Sequence, residues 1–278
     1  MPVPRDGHRF RVFTLATLAA VAVTTAHGQV GKPIASRFPG PEQSFEVASV
    51  KANRSDAIQW DFDAPPGRVV GTNVLLRDLI RFAYFIYGGD WDIRIAGPAW
   101  IKTARFDVDA RTPGPVPQDR AMSMLRHLLA QRFGLTVHYE QREHQVYALV
   151  IARSDRRLGP QLTPQAIDCS TLTAPPPIDS ARPICGNRGG PGRLSGGGMN
   201  MQQLALHLAS VAGRTVIDDT GLGPAGFDYD LRWSPDSANP DGPSIFTAIE
   251  EQLGLKLVAK SGPVEVLVID SISEPTPN

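Results

Sequence analysis

The chain has 278 residues, with 28 basic and 28 acidic side chains, 42% hydrophobic residues, 26 Gly, 25 Pro and two Cys. That hydrophobic content excludes a wholly disordered chain or a collagen-like repeat, and the length allows one large domain or two small ones. A formal net charge of zero gives no electrostatic reason to expect a nucleic-acid partner.

From the N-terminus, Arg5, Arg9 and Arg11 precede an uncharged apolar stretch, Val12 to Ala26, that closes on Ala26-His27-Gly28. A basic start, an apolar run and a small-residue cleavage site predict a secretory signal over residues 1–28. About fifteen apolar residues are too few to span a bilayer comfortably, so no stable membrane insertion is expected after cleavage. A retained anchor is the competing reading. The mature protein is expected in the periplasm or outside the cell.

Residues 29–44 read as an irregular lead, and Ser44–Lys51 alternates as a strand. A helix follows with Leu76, Leu79, Ile80 and Ala83 on one stripe. Phe106/Val108 alternating with Asp107/Asp109 predicts a strand. A second helix carries Met122, Leu125, Leu129 and Phe133 and stops at Gly134. Leu135–Glu140 and Val146–Ala152 then read as a closing hairpin.

Residues 153–192 hold seven Pro, five Gly and both cysteines, and read as a linker without regular elements. In an exported protein Cys169 and Cys185 are expected to form a disulfide, closing a loop of about sixteen residues with a stabilisation of about 3 kcal/mol. The same grammar then returns. A helix bears Met201, Leu204, Ala205 and Leu208, with Asn200 and Gln203 placed to cap it. Phe227-Asp-Tyr-Asp230 is a strand, Ile245, Ile249 and Leu253 mark a helix ending at Gly254, and Leu255–Lys260 with Val264–Asp270 read as a hairpin turned through Ser261-Gly262-Pro263.

Four segments match in order between the halves. Gly71-Thr-Asn-Val aligns with Gly196-Gly-Gly-Met, and Phe106-Asp-Val-Asp109 with Phe227-Asp-Tyr-Asp230. Phe133-Gly-Leu-Thr-Val137 aligns with Leu253-Gly-Leu-Lys-Leu257, and Leu149-Val-Ile151 with Leu267-Val-Ile269. This predicts an internal duplication: an α+β protein of two tandem β-α-β-β-α-β-β lobes, residues 45–152 and 193–278, joined by the Pro/Gly-rich disulfide-bearing linker.

Phe45-Glu-Val-Ala-Ser-Val-Lys51, Leu76-Arg-Asp-Leu-Ile-Arg-Phe-Ala-Tyr84, Val146-Tyr-Ala-Leu-Val150, Asp219-Thr-Gly-Leu222 and Gly262–Asp270 carry a resemblance. The chain resembles an uncharacterised, soil-associated family of exported bacterial proteins, which implies a domain of unknown function. Some members of that family carry the domain beside a membrane zinc peptidase of the antibiotic-sensor type, a segment this chain lacks. The element order and the Gly134-Leu135 and Gly254-Leu255 junctions are more loosely similar to the short N-terminal domain of secretins and TonB-dependent receptors, which implies periplasmic docking.

Chemistry is weakly signalled. Asp219-Thr220-Gly221 spells the aspartic-protease triplet, but that reaction needs a second carboxylate and the matching Pro98-Ala99-Trp100 has none. The pairs Asp107/Asp109 and Asp228/Asp230 fall on the solvent side of their strands, where acids are ordinary. His138 and His144 with Glu140 and Glu143 flank the expected hairpin, yet only two imidazoles can be placed where zinc wants three or four ligands. Gly186 to Gly198 is glycine-rich without a following Lys-Ser/Thr pair, and reads as flexible linker. Tyr84, Tyr87, Trp91 and Trp100 are either core or a docking surface. No catalytic residue, metal site or cofactor is assigned. The expected function is a non-catalytic binding or docking module of the cell envelope, partnered by another envelope protein; an extracellular hydrolase and a small-ligand sensor binding between the lobes are the alternatives.

Overall fold

The computed structural model describes residues 43–165, 167, 169, 185–235 and 242–275, so the expected signal sequence and most of the expected irregular lead lie outside the described residues. The first half runs β1 (Val47–Ala52), β2 (Asp61–Asp63), β3 (Arg68–Leu75), α1 (Leu76–Ala83), α2 (Trp91–Arg94), β4 (Ile95–Ala96), a 3-10 turn (Ala99–Lys102), β5 (Arg105–Arg111), α3 (Gln118–Phe133) and β6 (Thr136–Ile151). The second runs β7 (Leu162–Pro164), β8 (Gly186–Gly190), β9 (Arg193–Met199), α4 (Met201–Ala212), β10 (Val216–Asp218), β11 (Phe227–Arg232), α5 (Ile245–Ala248) extended by a π turn (Ile249–Leu253), and β12 (Leu255–Ser271). The protein is α+β, and the outer sheets are ordered β1-β5-β3-β2 and β7-β11-β9-β8. Position by position these are the same sheet, built twice.

Local chemistry accounts for the element ends. Asn200 accepts a hydrogen bond from the Gln203 N–H, and the Gln203 side chain accepts one from the Asn200 N–H, which closes the capping box of α4. Gly134 and Gly254 stop their helices with φ of 60° and 67°, the left-handed region where a Cβ is costly. Phe106 and Val108 are buried while Asp107 and Asp109 are not, as the pleat requires.

The two expected closing hairpins do not form. Residues 136–151 and 255–271 are each one continuous strand, and they pair antiparallel with each other from Leu255 opposite Ile151 to Ser271 opposite Thr136. Ser261-Gly262-Pro263 lies inside β12, with Pro263 opposite Glu143, where β6 is its only sheet neighbour among the described residues. A proline is tolerated there because the open side of the strand needs no N–H donor. Two short parallel strands complete the central sheet in the order β10-β6-β12-β4. Both are exchanged: β4 of the first half pairs with β12, and β10 of the second half pairs with β6.

The cores cross over in the same way. Leu267 of β12 is buried among Val69, Leu79, Leu125 and Phe133 of the first half, with Ile269 and Ile272 packed against them. Its sequence counterpart Leu149 of β6 is buried among Leu204, Leu208, Tyr229 and Leu253 of the second. Each lobe is thus closed by the last strand of both halves.

The stretch 153–192 also departs from a plain linker. It contributes β7, which pairs with β11 from Phe227 opposite Pro164 to Tyr229 opposite Leu162, and β8, which pairs with β9. The glycine-rich run 196–198 is strand β9 rather than flexible chain. Its glycines are packing choices, because the Tyr229 ring fills the space a Cβ at Gly196 would occupy, and Cys169 Sγ that at Gly198.

Candidate functional site

The paired acids tie strands together, and they do so at matched positions in both lobes. Asp107 Oδ1 accepts the Asn73 N–H at 2.9 Å and the Asn53 side-chain amide at 2.8 Å; Asp228 Oδ1 accepts the Gly198 N–H at 3.1 Å. Asn73 and Gly198 are matched residues with φ of 56° and 64°, each at the irregularity where a third strand meets its partner. Asp109 forms a two-pronged pair with Arg68 at 2.9 and 2.8 Å, and Asp230 one with Arg193 at 3.2 Å for both contacts. The Arg68 guanidinium holds the Asp109 carboxyl below its ordinary range.

The Asp219-Thr220-Gly221 triplet is a turn. Asp218 Oδ1 accepts both the Thr220 N–H, at 2.9 Å, and its hydroxyl, at 2.8 Å, while Asp219 is paired with Lys260. His138 and His144 flank no turn. His138 sits in a surface chain, its Nδ1 2.7 Å from Asp270 and its Nε2 2.9 Å from Glu140, which also takes Arg142 at 2.8 Å. The Glu140 and Asp270 hydrogen bonds raise the His138 pKa. Among the described residues no group of three or more His, Cys, Asp or Glu side chains is placed to hold a metal ion.

Cys169 and Cys185 form the disulfide, their Cα atoms 5.7 Å apart. The bridge lies in the β7–β8 connection, with Cys169 packed over Gly198 of β9. The first lobe has a different device at the matching place. The buried Asn73 side chain donates from Nδ2 to the Ala57 and Gln59 carbonyls at 2.6 and 2.8 Å, which ties the β1–β2 connection down over β3.

That tied connection presents two apolar side chains to solvent, Ile58 at 88% and Trp60 at 47% exposure. Phe62 stacks on Phe82 of α1 with ring centroids 4.2 Å apart, and Trp60 lies 6.3 Å from the same ring. The Arg81 guanidinium is sandwiched between Phe82 and Trp91, 4.2 and 4.1 Å from their ring centres, and is held by Asp78 at 3.3 Å. The result is a continuous aromatic face running from β2 across α1 to α2. Contacts of this kind are worth roughly 0.5–2 kcal/mol each and fix the rings in place.

Of the four aromatics singled out from sequence, Trp91 joins this face and Tyr87 is exposed nearby on the same connection. Tyr84 is buried in the first core and Trp100 packs against it. Burial pushes the Tyr84 hydroxyl up to about 12. Sequence reasoning missed Ile58, Trp60, Phe62 and Phe82. The available signal was Ile58-Gln-Trp60 standing inside an otherwise polar run from Asn53 to Asp61.

A small hollow of about 200 Å³ also lies between the halves, with Arg94, Gln202, Thr215 and Glu265 among its lining residues. Burial lowers the Arg94 pKa. The hollow is below the 300–1,000 Å³ of typical small-molecule pockets and mixes polar with apolar walls.

Together these features define a class: a duplicated α+β protein whose paired strand acids, Asp107/Asp109 and Asp228/Asp230, are engaged in its own structure and whose most distinctive surface is aromatic. The chain belongs to the family described as Protein of unknown function (DUF3738), whose model matches residues 77–272. The match runs from α1 to the end of β12, and so leaves out β1, β2 and β3 of the first lobe. No curated protein matches, and no solved structure matches. Among the described residues no helix is long and apolar enough to cross a membrane.

Proposed function

We propose that this protein is an exported, non-catalytic docking module of the cell envelope and that it engages another envelope protein through the aromatic face of its first lobe. The observation that carries the reading is the Ile58–Trp60 connection. Two large apolar side chains are exposed on a connection that the buried Asn73 side chain ties down. Rigid aromatic residues flanked by arginine are the composition of binding hot spots, and a tied loop loses little entropy when it is covered.

The disulfide supports an oxidising compartment. The engagement of Asp107, Asp109, Asp228 and Asp230 by backbone and arginine supports the absence of catalysis over the hydrolase alternative.

The test is affinity capture from envelope extracts with the unaltered chain and with the double variant Ile58→Asp, Trp60→Ala. A defined partner held by the first and lost by the second is expected. Retention by both would remove the aromatic face from the proposal, and no partner at all would overturn docking.

A further inference from the structure

Resting on that docking reading, we infer that the outer edge of β2 takes up an extended segment of the partner protein in which apolar and basic side chains alternate. Among the described residues β2 is the last strand of its sheet and pairs with β3 alone, with Asp61, Phe62 and Asp63 opposite Thr72, Gly71 and Val70. An open edge offers a row of backbone donors and acceptors to an added strand.

The two faces of that edge differ in chemistry. Phe62, with Trp60 just before it, lies on the α1 side against Phe82. Asp61 and Asp63 alternate to the opposite side and are exposed. An incoming strand sends successive side chains to the same two sides. Apolar ones therefore meet Trp60, Phe62 and Ile58, and the intervening ones meet carboxylates. Over residues 54–63 there are three acids, Asp56, Asp61 and Asp63, against Arg54 alone, all exposed, so the complement is basic. Asp63 spends one carboxylate oxygen on the Ala64 N–H at 2.8 Å and keeps the other side of the group toward solvent. Arg81 does not offset these acids from within the ladder, because Asp78 pairs with it.

The second lobe supplies an internal control. Its matching edge strand, β8, reads Gly-Asn-Arg-Gly-Gly, is exposed throughout, and carries neither an apolar side chain nor an acid. Phe82 of α1 is replaced there by His207 of α4, whose ring approaches Tyr229 instead.

The experiment uses the full-length chain and two capped synthetic hexapeptides, one alternating Lys with Val and the other Glu with Val, followed by backbone amide shifts and tryptophan fluorescence. The Lys–Val peptide is expected to shift the amides of residues 58–63 and to change Trp60 emission. Its affinity should fall severalfold between low salt and about 0.3 M. Trp60→Ala should weaken it by about tenfold or more, and Asp61→Asn with Asp63→Asn by a few fold. Equal binding of the Glu–Val peptide, shifts centred on residues 186–190, or silence at residues 58–63 would each overturn strand addition. Slow hydrogen exchange at every amide of Asp61–Asp63 in the free chain would also do so, since the edge would already be covered by another part of this chain or by a second copy. If the peptides fail while envelope capture still depends on Trp60, docking stands and only this mode of it falls.

Discussion

Where the first lobe has Asn73, the second has Gly198, and both backbones turn through the same left-handed region to donate a hydrogen bond to an aspartate. Above that shared turn the lobes part. In the first, the Asn73 amide reaches up and grips Ala57 and Gln59, and the gripped chain carries Ile58 and Trp60 outward. In the second, the vacated side-chain space is filled from above by Cys169, and a covalent bridge does the gripping. The comparison teaches that a duplicated scaffold kept its turn and its acid while two chemistries for anchoring the overlying connection diverged. A polar clamp accompanies an apolar, interactive surface. A covalent clamp accompanies a surface of glycine, asparagine and arginine.

The strongest way to break the picture of paired lobes is to attack their crossed cores. Leu149→Ala and Leu267→Ala should each cost about 2–5 kcal/mol in urea unfolding, because both side chains are fully buried. Hydrogen exchange should show the damage in the opposite half: Leu267→Ala loosens amides around residues 69–84, and Leu149→Ala those around 194–208. Damage confined to the mutated half would refute the exchange.

The anchors come next. Reducing the Cys169–Cys185 bridge should cost about 3 kcal/mol or less on the chain-entropy model, with exchange increasing at residues 186–199 and unchanged at residues 54–63. Asn73→Gly keeps the backbone turn, removes the clamp, and should cost about 1–3 kcal/mol while altering Trp60 fluorescence. If either change disturbs the other lobe's connection, the two anchors are not independent.

A smaller contrast lies in the arginine pairs. Each acid meets two arginines, Asp230 with Arg193 and Arg232 and Asp109 with Arg68 and Arg111, but the Asp230 side chain is 16% exposed whereas that of Asp109 is 42% exposed. Asp230→Asn should therefore cost more than Asp109→Asn, whose effect should stay within about 1 kcal/mol. The smallest effect is in pH. The folded pKa of His138 is raised, first by Glu140 and then by Asp270, so its stabilisation is complete below the ordinary imidazole range and fades as pH rises through the raised value. Glu140 is lowered by the same contact, so its share is lost on acidification instead. The matched position in the second half is Val258, which does not titrate. His138→Gln should accordingly flatten the stability profile just above the ordinary imidazole range and leave the second lobe's local exchange unchanged.

Helix stripes, caps and strand alternation follow period and local chemistry, and residues such as Asn200, Gly134 and Phe106 declare them directly. The duplication was equally readable, since matched positions 73 and 198 do matched work. Strand partnership was not. Leu135–Glu140 and Val146–Ala152 show the alternation of two strands whether they fold back or run straight on, and Ser261-Gly262-Pro263 satisfies a turn and an open-sided strand alike. The aromatic face stayed hidden for a related reason. Trp60 and Trp91 are thirty-one residues apart in the chain, and only the packing of Phe82 and Arg81 between them makes one surface.

The exchange of final strands separates the order of synthesis from the order of folding. Leu267, Ile269 and Ile272, which complete the first core, follow β6 in the chain by more than a hundred residues. However early the N-terminal half is made, its hydrophobic interior stays open until β12 has been synthesised, and a chain cut short anywhere before β12 leaves both halves unfinished.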